Sequence, residues 1–118
     1  MLPFDRTSNY APAETLARIV FEGSRDKIIF LTFMTQHCPG CKETYDALHK
    51  FAKRQGGKVE IVVVDADRHP PIVNDYGVKG VPTIFVYGKQ HHLLTKIGPQ
   101  NERNLKKMLK ESLAALPK

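Results

Sequence analysis

The sequence predicts an α/β fold, with a central mixed β-sheet flanked by helices on both faces. Three observations carry that expectation. Residues 27–34 form a continuous apolar run rich in β-forming side chains, and 59–64, Val-Glu-Ile-Val-Val-Val, read as a second such strand, the pattern of strands buried on both faces. Segments with apolar residues at helical spacing stand before, between and after these runs. Gly88-Lys89-Gln90 then separates two further strand-like stretches, as a hairpin turn does. The order α-β-α-β-α-β-β-α implies parallel pairing of the first two strands and antiparallel strands added at one edge.

Each element has its own signal. Residues 1–11 carry Pro3, Ser8, Asn9 and Tyr10 without periodicity and read as a loose lead-in. Residues 13–22 place Leu16, Ile19 and Val20 at helical spacing, and Gly23-Ser24 stops the helix. A second helix is predicted over 42–55, with Tyr45, Leu48, Phe51 and Ala52 on one stripe, Cys41 on the same side, and Gly56-Gly57 at its end. The strand over 59–64 stops at Asp65-Ala66-Asp67. His69-Pro70-Pro71 punctuates the chain before a short helix at 72–76 that Gly77 ends. Strands follow at 81–87 and 92–97, and Gly98-Pro99 breaks the second of them. The final helix, 101–116, carries Leu105, Met108, Leu109, Leu113 and Leu116 on one face.

The 118 residues form one expected domain, 1–118, long enough to bury a core. The net charge of +6 is spread along the chain, and Lys106, Lys107 and Lys110 read as a solvated helix face. With neither a basic block nor a basic–aromatic array, nucleic acid is not an expected partner. No apolar run is long enough to cross a bilayer, so no membrane role is expected. Met1 to Arg6 lacks the apolar core of a signal peptide, and two cysteines are too few for a disulfide scaffold. The expected compartment is the cytoplasm.

The two cysteines fall in Cys38-Pro39-Gly40-Cys41, at the junction of a strand and a helix. Two thiols so spaced make a redox pair or half of a metal site. Structural zinc takes four ligands, usually two such pairs, and His37, His49, His69, His91 and His92 contain no pair at His-x3–5-His spacing. An exposed strand–helix junction also argues against two inert buried cysteines. With Cys38 at the start of the helix, free N–H groups and the helix dipole favour its thiolate. Pro39 suits the first turn, and a protonated His37 adds positive charge. Cys41 comes round to the same side and can close a disulfide with Cys38. A second constellation is Gly80-Val81-Pro82-Thr83. Proline at the head of a buried strand removes a ladder donor. A cis Val81–Pro82 bond would explain it, although only about 5–6% of X-Pro bonds are cis.

Over roughly residues 13–116 the chain resembles thioredoxin and its relatives. The landmarks are Phe33 through Cys38-Pro39-Gly40-Cys41-Lys42, then Asp67 and Pro70, then Tyr76-Gly77-Val78-Lys79-Gly80-Val81-Pro82-Thr83, and Gly98 before the last helix. The resemblance implies the thioredoxin fold and reversible thiol–disulfide exchange. It makes Cys38 the exposed attacking cysteine and Cys41 the buried resolving one. Pro82 would be cis and pack against the disulfide, the Val81 backbone would pair with an extended substrate segment, and Gly98 would line the same groove. His37, Pro39 and Gly40 would tune the redox balance. Implied partners are disulfide-containing protein substrates and a dithiol electron donor, a reductase or glutathione. No cofactor or metal is expected, and a monomer is.

The chain also departs from the family pattern. His37 stands where thioredoxins usually carry tryptophan, and the order within the motif is Pro-Gly, not Gly-Pro. Thr32 and Val63 occupy the places of a buried aspartate and its lysine partner. Asp46 stands where a proline usually kinks the second helix, and Gly98-Pro99-Gln100 replaces the glycine pair and acids of glutaredoxins. The alternative reading is a redox-inactive binding module that uses the Val81–Pro82 groove.

Overall fold

In the computed structural model, which describes residues 13–117, the chain runs α1 (Ala13–Gly23), β1 (Ile28–Met34), α2 (Cys41–Lys53), β2 (Val59–Asp65), α3 (Pro70–Tyr76), β3 (Thr83–Gly88), β4 (His91–Ile97) and α4 (Glu102–Ala114). The predicted lead-in at 1–11 lies outside the described residues. β1 is central. It pairs parallel with β2, from Ile28↔Val59 to Met34↔Asp65. It pairs antiparallel with β3, from Ile29↔Tyr87 to Phe33↔Thr83. β4 pairs antiparallel with β3, and the sheet order is β2-β1-β3-β4. This is the mixed sheet that the alternation and the hairpin predict.

Every β1 residue is buried, which is why its sequence shows no polar alternation. The pleat sends Phe30 and Met34 to one face, where they meet Leu48 and Phe51 of α2 and Leu105 and Met108 of α4. Ile29, Leu31 and Phe33 go to the other face, with Leu16 and Val20 of α1 and Ile72 of α3. Aromatic packing marks both layers: Phe30 and Phe51 have ring centroids 5.3 Å apart, and Phe33 lies 5.5 Å from Tyr76 and 5.7 Å from Phe85. Burying each such side chain is worth roughly 1.5–3 kcal/mol.

Several boundaries differ from expectation. α3 starts at Pro70, because two prolines at the first helical positions lack only N–H groups that the helix would leave unbonded. β3 starts at Thr83, two residues later than predicted, since Pro82 has no N–H for the ladder. The hairpin loop is Lys89-Gln90, both with positive φ, 47° and 66°, as a two-residue type I′ turn requires. The leucine face of the last helix is only partly covered. Leu105 and Met108 are buried, whereas Leu113 is 49% exposed, because no described element lies over that end.

Candidate active site

The carboxyl end of β1 delivers the chain to Cys38-Pro39-Gly40-Cys41. The Cys41 N–H donates to the Cys38 carbonyl at 3.2 Å, closing a four-residue turn. Gly40 at its third position has φ 84° and ψ −14°, the type II geometry, which needs a positive φ there. Pro39 presets the preceding position. Gly40 then caps α2, its carbonyl accepting from Thr44 N–H at 3.0 Å. This corrects the expectation that the helix starts at Cys38 with Pro39 in its first turn. A left-handed Gly40 cannot continue into a right-handed helix, so α2 begins at Cys41 and Cys38 lies ahead of the cap.

Cys38 and Cys41 are joined as a disulfide, with Cα atoms 5.3 Å apart. The two are unequal: Cys41 is 0% exposed, whereas Cys38 is partly exposed. Cys38 Sγ lies 3.3 Å from the Pro39 carbonyl oxygen. The disulfide sulfur carries no proton, so that contact becomes a hydrogen bond only in the reduced protein. His37 and Pro39 are exposed on the rim of the turn, and Gly40 is half-buried.

The head of β3 is linked to this turn through residues 98–100. The Val81–Pro82 peptide is cis. Pro82 is buried, and Val81 is half-buried against both core layers. Thr83 Oγ1 donates to the Gly80 carbonyl at 2.6 Å and fixes this approach. Gly98, with φ 100°, donates its N–H to the Pro82 carbonyl at 2.8 Å. The next two residues reach the cysteine turn. A Cβ on Gly40 would fall 2.7 Å from Pro99 Cγ, so the bare glycine lets the proline ring sit against it. The Gln100 N–H donates to Thr44 Oγ1 at 3.1 Å, and Thr44 is fully buried in the first turn of α2. Residues 98–100 therefore strap the proline strand to the cysteine turn. Sequence reasoning missed Thr44, Pro99 and Gln100. Only Thr44 carried a signal, three residues after Cys41 on the buried stripe.

Thr32 faces α2 in the middle of the sheet, paired with Val63 and Ile84. It is 0% exposed, and among the described residues its Oγ1 has no hydrogen-bond partner. On the opposite face, burial and then the neighbouring Tyr76 push the Tyr87 phenol up to about 12. Tyr76 is itself raised by burial and then by Asp75. Among the described residues, no group of three or more His, Cys, Asp or Glu could hold a metal ion, and no helix is long and apolar enough to cross a membrane.

A mixed sheet between two helical layers, with a closed Cys-x-x-Cys turn tied through residues 98–100 to a cis-proline at a strand head, defines a dithiol–disulfide protein. A thioredoxin family profile matches residues 12–111, and the chain belongs to the thioredoxin family. Thioredoxin of Rickettsia felis is 27% identical over 88 residues, covering 75% of this chain and 84% of that one. Chloroplastic thioredoxin z superposes with a TM-score of 0.77 at 21% identity, over 97% of each chain. The germline-specific thioredoxin Deadhead of Drosophila melanogaster gives 0.72 at 25% identity, over 93% of this chain and 98% of that one. With the cysteine pair at disulfide distance, family and geometry together make this a thiol–disulfide oxidoreductase, and the redox-inactive alternative is not favoured.

Proposed function

We propose that the protein reduces disulfides in other proteins, with Cys38 as nucleophile and Cys41 as the resolving thiol. The observation that carries this assignment is the unequal exposure within one closed pair. A bulky disulfide can reach Cys38 and not Cys41. In the reduced protein the first N–H groups of α2 lack intrahelical acceptors and favour a Cys38 thiolate. The thiolate attacks one substrate sulfur, the substrate S–S bond breaks, and the departing thiolate takes a proton. A Cys38–substrate disulfide results. Cys41 then loses its proton and attacks Cys38 Sγ, releasing the second substrate thiolate, which is protonated in turn. The substrate gains two electrons and two protons, and the Cys38–Cys41 disulfide is left oxidised.

The substrate segment lies along Val81, Pro82 and Gly98. Val81 stands outside the β3 ladder, so its backbone is available for strand-like pairing. Nothing lies within 4 Å of where a Gly98 side chain would be, which leaves room for a second main chain. His37, Pro39 and Gly40 set the balance between dithiol and disulfide through charge and turn geometry. A dithiol donor, a reductase or glutathione, returns the pair to its reduced state. The reaction belongs in the cytoplasm, where thiol pools keep such pairs reduced, and the chain acts as a single domain and a monomer.

Insulin turbidity with dithiothreitol tests this reading. The protein should accelerate precipitation, Cys38→Ser should abolish the effect, and Cys41→Ser should accumulate a mixed disulfide. No acceleration over dithiothreitol alone, or a trapped complex through Cys41 in place of Cys38, would overturn it.

A further inference from the structure

The last helix leaves part of its apolar face open at the end of the sheet away from the cysteines. Leu113, 49% exposed, lies in two adjoining hollows of about 350 and 360 Å³. One is formed with Gln55 and Leu109, the other with Ile28 and Leu116. Because they share Leu113, they make one furrow. Its floor is well packed: a Cβ on Gly88 would fall 2.7 Å from Ile28 Cδ1 and 2.9 Å from Leu116 Cδ2. The furrow is therefore a surface and not a packing fault.

Its banks are cationic. Lys106 and Lys110 flank the first hollow, and Arg25, Lys27, Lys58 and Lys89 flank the second, against the single carboxylate of Asp26. Among the described residues none of these six forms an ion pair. Cations near helix carboxyl ends are favoured by the helix dipole, but Lys27, Lys58 and Lys89 belong to no helix.

Pattern and charge together select the occupant. Leu109 and Leu113 are one helical turn apart on α4, beside Lys106 and Lys110, also one turn apart. That surface matches a helix with an apolar stripe edged by acids. A second copy of this chain, at +6, would be repelled. Residues 1–12 carry Asp5 and Arg6, which cancel, so this segment has no net acidity to offer. We propose that the furrow docks an acidic amphipathic helix of a partner protein. The site is separated from the Cys38–Cys41 turn by the seven residues of β1, about 20 Å, and does not depend on the cysteine chemistry.

The probe is a labelled synthetic helical peptide with leucine at i, i+4 and i+8 and glutamate around it, followed by fluorescence anisotropy and by amide shifts of the isotope-labelled protein. It should bind at least about tenfold more tightly than the same peptide with serine for leucine, and weaken as salt is raised. Shifts should centre on Lys58, Leu109 and Leu113. Leu113→Glu should weaken binding at least about tenfold with insulin reduction unchanged. The double variant Lys58→Glu/Lys110→Glu, at exposed positions, should do the same should Leu113→Glu misfold. Equal binding of both peptides, shifts gathered at Cys38, indifference to these substitutions, or tighter binding to phosphatidylglycerol vesicles than to the peptide would each overturn the proposal.

Discussion

Replacing Thr32 with valine should stabilise the protein and leave disulfide reduction intact. Thr32 is 0% exposed, lies between Val63 and Ile84 in the sheet, and has a hydroxyl without a partner among the described residues. A buried unpaired hydroxyl costs about 1–3 kcal/mol. Valine has nearly the same shape and strand preference, and its added methyl gains further apolar burial. The expected gain is about 1–3 kcal/mol, which for a domain of this size raises Tm by about 4 °C per kcal/mol. Urea unfolding of both proteins in the oxidised form measures it, through a higher midpoint at unchanged slope. A loss of stability greater than about 0.5 kcal/mol would refute the reasoning, because it would mean that the hydroxyl is satisfied in the folded state. A slower insulin reaction at raised stability would refute the second half, since the hydroxyl would then serve the chemistry.

Gly40→Ala forces a side chain onto φ 84° and into Pro99 Cγ at 2.7 Å, so it should cost about 1–3 kcal/mol and slow insulin reduction. A thermal melt matching that of the unsubstituted protein would remove the strap from the account. Thr44→Val takes away the buried acceptor of the Gln100 N–H and should cost about 1–3 kcal/mol in urea unfolding, with a neutral result showing that Gln100 finds another partner. Tyr87 binds its proton more tightly when folded, up to about 12 against an ordinary 10.0. Its contribution is thus fully present below pH 10 and lost as pH rises toward 12. Tyr87→Phe should flatten that alkaline loss of stability, and an equally steep loss would contradict it.

The fold was largely legible because its signals are local. The unbroken run at 28–34 could be a strand only if both faces were covered, and both are. The cysteine turn was half legible. Pro-Gly in that order calls for a type II turn, yet the helical stripe through Cys41 drew the expected helix start back to Cys38. The conformational demand of Gly40 outweighs the helix-start preference of Pro39. Of the strap, Gly98 was legible and its contacts with the cysteine turn were not. Pro99 meets Gly40 across 59 positions and Gln100 meets Thr44 across 56, and no periodicity encodes such contacts. Leu113 shows the opposite limit, since periodicity finds a helix face and does not say what covers it.

The interior beneath the pair bears on the second half of the reaction. Cys41 must lose its proton before it can attack Cys38 Sγ, because only the thiolate is nucleophilic. The buried polar residues described are Ser24, Thr32, Thr44, Asp65, Thr83 and Ser112. Asp65 alone among them is a carboxylate, and its Oδ1 already accepts the Asp67 N–H at 3.1 Å. Among the described residues no other buried side chain is a carboxylate, and we infer that solvent, rather than Asp65, takes the Cys41 proton. The rate of resolution should then follow the thiolate fraction, rising about tenfold per pH unit as long as the Cys41 thiol is mostly protonated. Stopped-flow release of a fluorescent leaving thiol from a Cys38 mixed disulfide, between pH 6 and 8, measures that slope. A rate independent of pH over this range would require an internal base and would overturn the argument. Thr32→Asp, which places a carboxylate on the α2 face, should flatten the slope at some loss of stability.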